Sequence, residues 1–237
     1  MQKRYLGLNT IVNLILNLHM CGIAGSKYRT QAFEHYKDNL NRGYYSSGAL
    51  VVDTNGQYTT KKILGTFKEP IDCFNPPGIH TRGQYFLYHS RGPTVETREF
   101  EAENNHPFFY GDWVVAHNGI ISNFESLCKE YFPDEDFTGR TDSCIIPRML
   151  EIKLQVSDAI ETLKGTYAIW AFNIKYKKTW LAKSGSTLFA NIKTGDFSST
   201  EFDESVPLNE GIIYAVQDYN SIVPAGRFKH KSPYFIF

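Results

Sequence analysis

Short, mostly apolar runs compatible with strands, separated mostly by turns of hairpin length, constrain this chain more than any other feature of its sequence. The first such runs are residues 22–26, 49–52, 58–64, 85–89 and 113–116. They resume at 167–173, 179–183, 188–192 and 212–216. Between the two sets, residues 123–131, 142–154 and 157–163 carry helical spacing, and an earlier helix is predicted over 31–40, closed by Asn41-Arg42-Gly43. Asp53-Thr54-Asn55-Gly56 carries the Asn-Gly hairpin signal. Strands joined by tight turns must pair antiparallel, because a parallel partner needs a crossover of a dozen residues or more. The expected class is therefore α+β with antiparallel sheets. No repeat and no shift in composition divides the chain after residue 21, so residues 21–237 are expected to form one domain.

Composition excludes several functions. The 237 residues suffice for a sizeable core. Lys plus Arg equals Asp plus Glu at 25 each, so the chain lacks the basic footprint of a nucleic-acid or membrane-surface binder. Aromatics at 15% and charged residues at 21% exclude a disordered chain. The four cysteines, Cys21, Cys73, Cys128 and Cys144, lie too far apart in sequence for a zinc ligand pattern, and a chain of this length needs no disulfide scaffold. Free thiols in a reducing, cytoplasmic setting are the expectation, with no metal.

Residues 1–20 read MQKRYLGLNTIVNLILNLHM. The apolar run is too short to span a membrane, and Asn9, Asn13 and Asn17 interrupt it. Leu18-His19-Met20 lacks the small residues of a signal cleavage site. A start mis-assigned from Met20, or a removable leader, is the favoured reading; a genuine signal and an ordered extra helix are the others.

Taken singly, the polar motifs decide little. Cys21 reads as a buried thiol, Arg91 as a surface ion-pair partner, Asn118-Gly119 as a hairpin turn, and Asp142 as a helix cap. Their order decides more. Met20-Cys21-Gly22-Ile23-Ala24-Gly25 resembles the mature start of the class II glutamine amidotransferases, which are N-terminal-nucleophile (Ntn) hydrolases. Arg42-Gly43-Tyr44-Tyr45-Ser46-Ser47-Gly48 resembles that family's Arg-Gly-x-x-Ser-x-Gly segment, and His89-Ser90-Arg91 its His-Thr-Arg. Asn105-His106-Pro107 resembles its Ala-His-Pro turn. His117-Asn118-Gly119-Ile120-Ile121-Ser122-Asn123 is the most specific block. Thr141-Asp142, 163–168 and 182–186 follow in order. Within the family, the blocks resemble the glutaminase domain of glutamine–fructose-6-phosphate aminotransferase, over residues 20–218.

The resemblance implies a four-layer αββα sandwich with two stacked antiparallel sheets. It also implies hydrolysis of free L-glutamine, through a γ-glutamyl thioester on Cys21, to glutamate and ammonia. Amide cleavage needs a nucleophile, a base and an oxyanion site. By resemblance the nucleophile is the Cys21 thiol and the base is the α-amine of Cys21, which requires Cys21 to be the first residue of the active chain. Asn118, through its amide, and Gly119, through its N–H, are implied as the oxyanion hole. Arg91 is implied to clamp the substrate carboxylate and Asp142 to accept its α-ammonium, with Thr94 and Arg42 as further substrate-side residues. His106 and His117 read as structural, and no cofactor is implied.

Three departures stand out. Gly92-Pro93 replaces the family's Trp-Ala, no sugar isomerase region follows, and residues 1–20 precede the cysteine. A separate ammonia-accepting synthase chain is therefore the expected partner. The alternatives are an amidase for another γ-glutamyl compound and a silent glutamine-sensing or docking module.

Overall fold

Side-chain alternation along β1 (Gly22–Ser26) sets out the layers of the molecule. Ile23 points into an apolar cluster shared with Leu50, Leu87, Val114, Ala116 and Trp170, while Ala24 points the other way, onto Phe33, Tyr36 and Tyr88. A strand whose two faces are both apolar must be covered on both sides. The computed structural model describes residues 21–53, 55, 57–71, 84–92 and 100–230.

In the first sheet β1 lies beside β4 (Gln84–Arg91), which pairs in turn with β2 (Ser46–Asp53) and the outer β3 (Tyr58–Leu64). On its other side stand β10 (Asp196–Ser198), β9 (Phe189–Asn191) and β11 (Val206–Pro207). The second sheet runs β13 (Ser221–Arg227), β12 (Ile212–Gln217), β8 (Lys178–Ser184), β7 (Gly165–Asn173), β6 (Trp113–Ile121) and β5 (Phe108–Tyr110). All pairings between these strands, among the described residues, are antiparallel. Helix α1 (Arg29–Asp38) covers the outer face of the first sheet through Ala32, Phe33 and Tyr36. Helices α2 (Phe124–Tyr131), α3 (Ile145–Ile152) and α4 (Val156–Thr162) cover the second through Leu127, Ile145, Met149 and Ile160. The result is an α+β sandwich, helix–sheet–sheet–helix, the layering that the resemblance implied.

Trp170 ties the two sheets together. It is fully buried on β7, and its indole N–H donates to the carbonyl of Tyr88 on β4 at 3.3 Å. Burying a large aromatic contributes about 1.5–3 kcal/mol, and the bond satisfies its one polar atom.

The strand and helix expectations hold for most of the chain, and the differences have physical causes. Residues 118 and 119 lie inside β6, paired with Ala168 and Tyr167, so Asn118-Gly119 is no hairpin turn. The segment 142–154 is not one helix. A 3₁₀ turn at Asp142–Cys144 precedes α3, and Pro147 sits in the first turn of α3, where its missing N–H costs nothing. Strands β5, β10, β11 and β13 went unread. Three of them are two or three residues long, and β13 contains Pro224, tolerated on an edge strand. Residues 95–107 read as polar loop by composition, yet Asn105 and His106 are buried, and His106 stacks on His89 of β4.

Candidate active site

Cys21 directly precedes β1, and its neighbours follow from strand register. Gly22 pairs with Ser90, so Arg91 at the end of β4 lies next to Cys21. Leu87 and Tyr85 point between the sheets and Phe86 and Tyr88 point out, so Arg91 shares the inner face with Ile23. Arg42 arrives from the turn after α1. Its Nε donates to the Cys21 carbonyl at 3.2 Å, although the side chain is 92% removed from solvent (8% exposed). This approach depends on Gly43: a Cβ there would stand 2.1 Å from the Gly92 backbone nitrogen. The Arg42-Gly43 segment is thus pressed against the end of β4, and Tyr45 N–H closes the contact on the Arg91 carbonyl at 2.8 Å.

The Cys21 thiol is pushed up by burial, and three groups oppose this: a hydrogen bond from the Gly92 N–H and the charges of Arg91 and Arg42. Asp142 acts with burial. The residue is only half-buried, so the thiol is desolvated by its surroundings while the residue keeps contact with solvent. A thiol in this state rests protonated and needs a base to become a nucleophile.

The second sheet supplies the facing groups. Val114 and Ala116 point to the inter-sheet core and Val115 and Ile121 to the helices, which places Asn118 on the Cys21 side. Asn118 is fully buried, its Nδ2 is 3.4 Å from Ser199 Oγ, and its Oδ1 has no partner among the described residues. Gly119 follows at φ +140, a conformation that suits only glycine, and a Cβ there would meet the Thr166 carbonyl at 2.0 Å. Asp142, at the start of the 3₁₀ turn, uses Oδ2 to accept the Ile121 N–H at 2.6 Å, so it organises the end of β6 and caps no helix.

Behind this cluster sit three buried histidines. His89 Nε2 donates to the His117 carbonyl at 3.1 Å, and burial holds its pKa down at about 3, with the charges of Arg91 and His117 adding to the effect. His106 stacks 3.8 Å from the His89 ring, and burial drives its pKa well down. His117 bonds Ser143 Oγ at 2.9 Å and the Thr166 carbonyl at 3.5 Å, and burial lowers it too, against the pull of Asp142. All three stay neutral near pH 7 and pack the site floor.

A glutamine amidotransferase domain model matches residues 96–196. The chain is 30% identical over 192 residues to a glutamine–fructose-6-phosphate aminotransferase of Aliivibrio fischeri, covering 75% of this chain and 31% of that protein. A counterpart in Oceanobacillus iheyensis is 27% identical, over 81% of this chain and 33% of that one. This chain thus matches a glutamine amidotransferase domain over residues 96–196 and is similar to members of that family over 75% of its length. It spans about a third of the length of these curated relatives. In fold, it is similar to a glutamine phosphoribosylpyrophosphate amidotransferase from B. subtilis, with TM-score 0.65 and 17% identity over 87% of this chain and 48% of that one. An allosteric regulatory enzyme of purine biosynthesis aligns at TM-score 0.67 and 17% identity, over 90% and 49%.

Cys21, Arg42, Arg91, Asn118, Gly119 and Asp142 converge from segments that run from position 21 to position 142, while Thr94 lies outside the described residues. Two partners escaped the sequence reading. Asn105 takes a hydrogen bond from Arg91, and Ser199 links Asn118 to β1. Asn105 was visible only as part of a turn motif, and Ser199 stands in a run, Phe197-Ser198-Ser199-Thr200, with no chemical signature. Among the described residues no group of three or more His, Cys, Asp or Glu could hold a metal, and no helix is long and apolar enough to cross a membrane. A separate cleft of about 520 Å³ lies on the helix side of the second sheet, lined by Phe124, Cys128, Phe132, Phe137 and Arg140 among others, and none of the site residues line it.

Proposed function

We propose that this protein hydrolyses the side-chain amide of free L-glutamine through a γ-glutamyl thioester on Cys21, releasing ammonia for an acceptor on a separate chain. The observation that carries this reading is the convergence of Cys21, Arg91 and Asn118-Gly119 at one end of the inter-sheet core.

The residues divide the work. The Cys21 thiol attacks the amide carbon while its proton passes to the α-amine of the same residue. That amine is a base only when Cys21 begins the chain, since a peptide nitrogen has no basic lone pair. Residues 1–20 are accordingly a leader or a mis-assigned start, and the working domain is 21–237. Arg42 and Arg91 beside the amine disfavour its charged form and keep it available. Asn118 Nδ2 and Gly119 N–H receive the developing oxyanion. The amine returns the proton to the departing nitrogen, ammonia leaves, and water, deprotonated by the amine, then releases glutamate. Arg91 and Asp142 hold the carboxylate and ammonium of the substrate, so a free amino acid fits and a glutamine inside a protein does not. By resemblance, Thr94 is assigned to the substrate carboxylate, and Arg42 stands beside the nucleophile, on the Cys21 carbonyl. No step requires a metal or an organic cofactor, and the chemistry suits the cytoplasm.

The test is glutamate and ammonia release from glutamine by three proteins: a chain beginning at Cys21, the full 237-residue chain, and Cys21→Ala. N-terminal mass is read on each. Turnover confined to the free-Cys21 protein supports the reading. A verified free Cys21 that leaves glutamine untouched overturns it. Asn118→Ala should then lose about a hundred- to a thousandfold in kcat.

A further inference from the structure

Ser199, just past β10, is 1% exposed and is fixed to β1 from both sides. Its N–H donates to the Ile23 carbonyl at 2.9 Å, and its Oγ accepts the Ile23 N–H at 3.1 Å. Its own carbonyl accepts from Thr187 Oγ1 at 2.8 Å. The hydroxyl is therefore locked two residues from Cys21, and it is the group that the Asn118 amide meets across the gap between the sheets.

The proton count at this contact is instructive. A hydroxyl offers one proton and two lone pairs, and an amide offers two N–H donors and an acceptor oxygen. With Nδ2 turned to Ser199, at the long distance of 3.4 Å, both lone pairs of the hydroxyl are occupied. Its proton then has no acceptor among the described residues, and Asn118 Oδ1 is buried without a donor. One rotation cures both defects. Turning the carboxamide by 180° brings Oδ1 to Ser199, which donates to it, and swings Nδ2 to the opposite side of the group. The hydroxyl then has one acceptance, from Ile23, and one donation, to Asn118.

We propose that Ser199 is the positioning residue that sets the Asn118 amide in this sense, holding its N–H₂ toward the carbonyl oxygen attacked by Cys21. This deepens the glutaminase reading and rests on it. Because Ser199 is bonded to the strand that begins at Cys21, nucleophile and oxyanion donor are kept in register by one hydroxyl. Its effect should fall on the transition state, where the oxyanion forms, and not on binding of the substrate head group.

The experiment compares Ser199→Ala and Ser199→Thr with the parent protein, each carrying a free Cys21. Ser199→Ala should lower kcat about ten- to a hundredfold, part of what a whole oxyanion donor contributes, with KM for glutamine within about twofold. Ser199→Thr should restore most of kcat. In an Asn118→Ala background, Ser199→Ala should cost little more, because the residue acts through the amide. Independently of turnover, the Asn118 side-chain N–H₂ signals in ¹⁵N-Asn-labelled protein, identified by their loss in Asn118→Ala, should shift and exchange faster in Ser199→Ala. An unchanged kcat in Ser199→Ala, losses that simply add in the double variant, or failure of Thr to rescue at parental melting temperature would each overturn the proposal. If the parent protein itself leaves glutamine untouched, the glutaminase reading fails, and the amide signals alone decide: signals indifferent to Ser199→Ala sink the positioning role.

Discussion

Asn105 Oδ1 accepts hydrogen bonds from both Arg91 Nη1, at 3.1 Å, and Ser46 Oγ, at 2.5 Å, while Asn105 Nδ2 donates to the Glu101 carbonyl at 2.6 Å. The Asn104 carbonyl takes a second bond from the same Nη1 at 2.9 Å. One corner of the guanidinium is thus anchored by a buried amide that is itself held at both ends.

This anchoring predicts a binding defect in Asn105→Ala. Freed from its partner, Arg91 loses orientation for the substrate carboxylate. KM for glutamine should rise about three- to tenfold, equivalent to the roughly 1 kcal/mol of one hydrogen bond, with kcat changed less. Steady-state kinetics on the free-Cys21 protein checks it, and a kcat loss at unchanged KM would contradict it.

Gly119→Ala should destabilise the fold as well as the site. The new Cβ combines a left-handed φ with a 2.0 Å approach to the Thr166 carbonyl, so the β6–β7 pairing must open to admit it. A cost of about 3 kcal/mol follows from such strain and lost packing, and in a domain of this size it lowers the melting temperature by roughly 6–12 °C. Calorimetry reads this directly.

Arg42→Gln should raise the pKa of the Cys21 thiol. The guanidinium is one of the groups that hold that pKa down against burial, and its removal leaves burial less opposed. Alkylation of Cys21 by iodoacetamide, followed by peptide mass against pH, should show the reactive limb displaced to higher pH.

Acid should weaken the protein through its buried histidines. His89 titrates near 6.5 when unfolded and at about 3 when folded. Its folded pKa is depressed, so below 6.5 the unfolded chain binds the extra proton. Its stabilising contribution is complete above that pH and is lost as pH falls toward 3. At pH 5 the loss from this one residue is about 2 kcal/mol. His106 and His117 act in the same direction. Melting temperature measured from pH 7 to 5 should fall, and His89→Gln, which keeps a donor for the His117 carbonyl, should flatten the slope.

The class of the fold and the cast of the site are both legible along the chain before it folds. Short apolar runs joined by tight turns force antiparallel strands, and an ordered set of short motifs around Cys21, Arg91, Asn118 and Asp142 carries the family resemblance, because each is local and survives in the linear text. Tertiary structure alone decided how these residues are held. Asn118-Gly119 reads as a turn by its residues, yet lies in mid-strand, because cross-strand pairing with Ala168 and Tyr167 outweighs the local turn preference. Asp142 reads as a helix cap, yet bonds the Ile121 N–H in another element. Asn105 and Ser199 act on residues 14 and 81 positions away, and only the closing of two sheets on one another brings them there. A hydrogen-bond partner far along the chain leaves no periodicity and no motif, so its role appears only when the chain is folded.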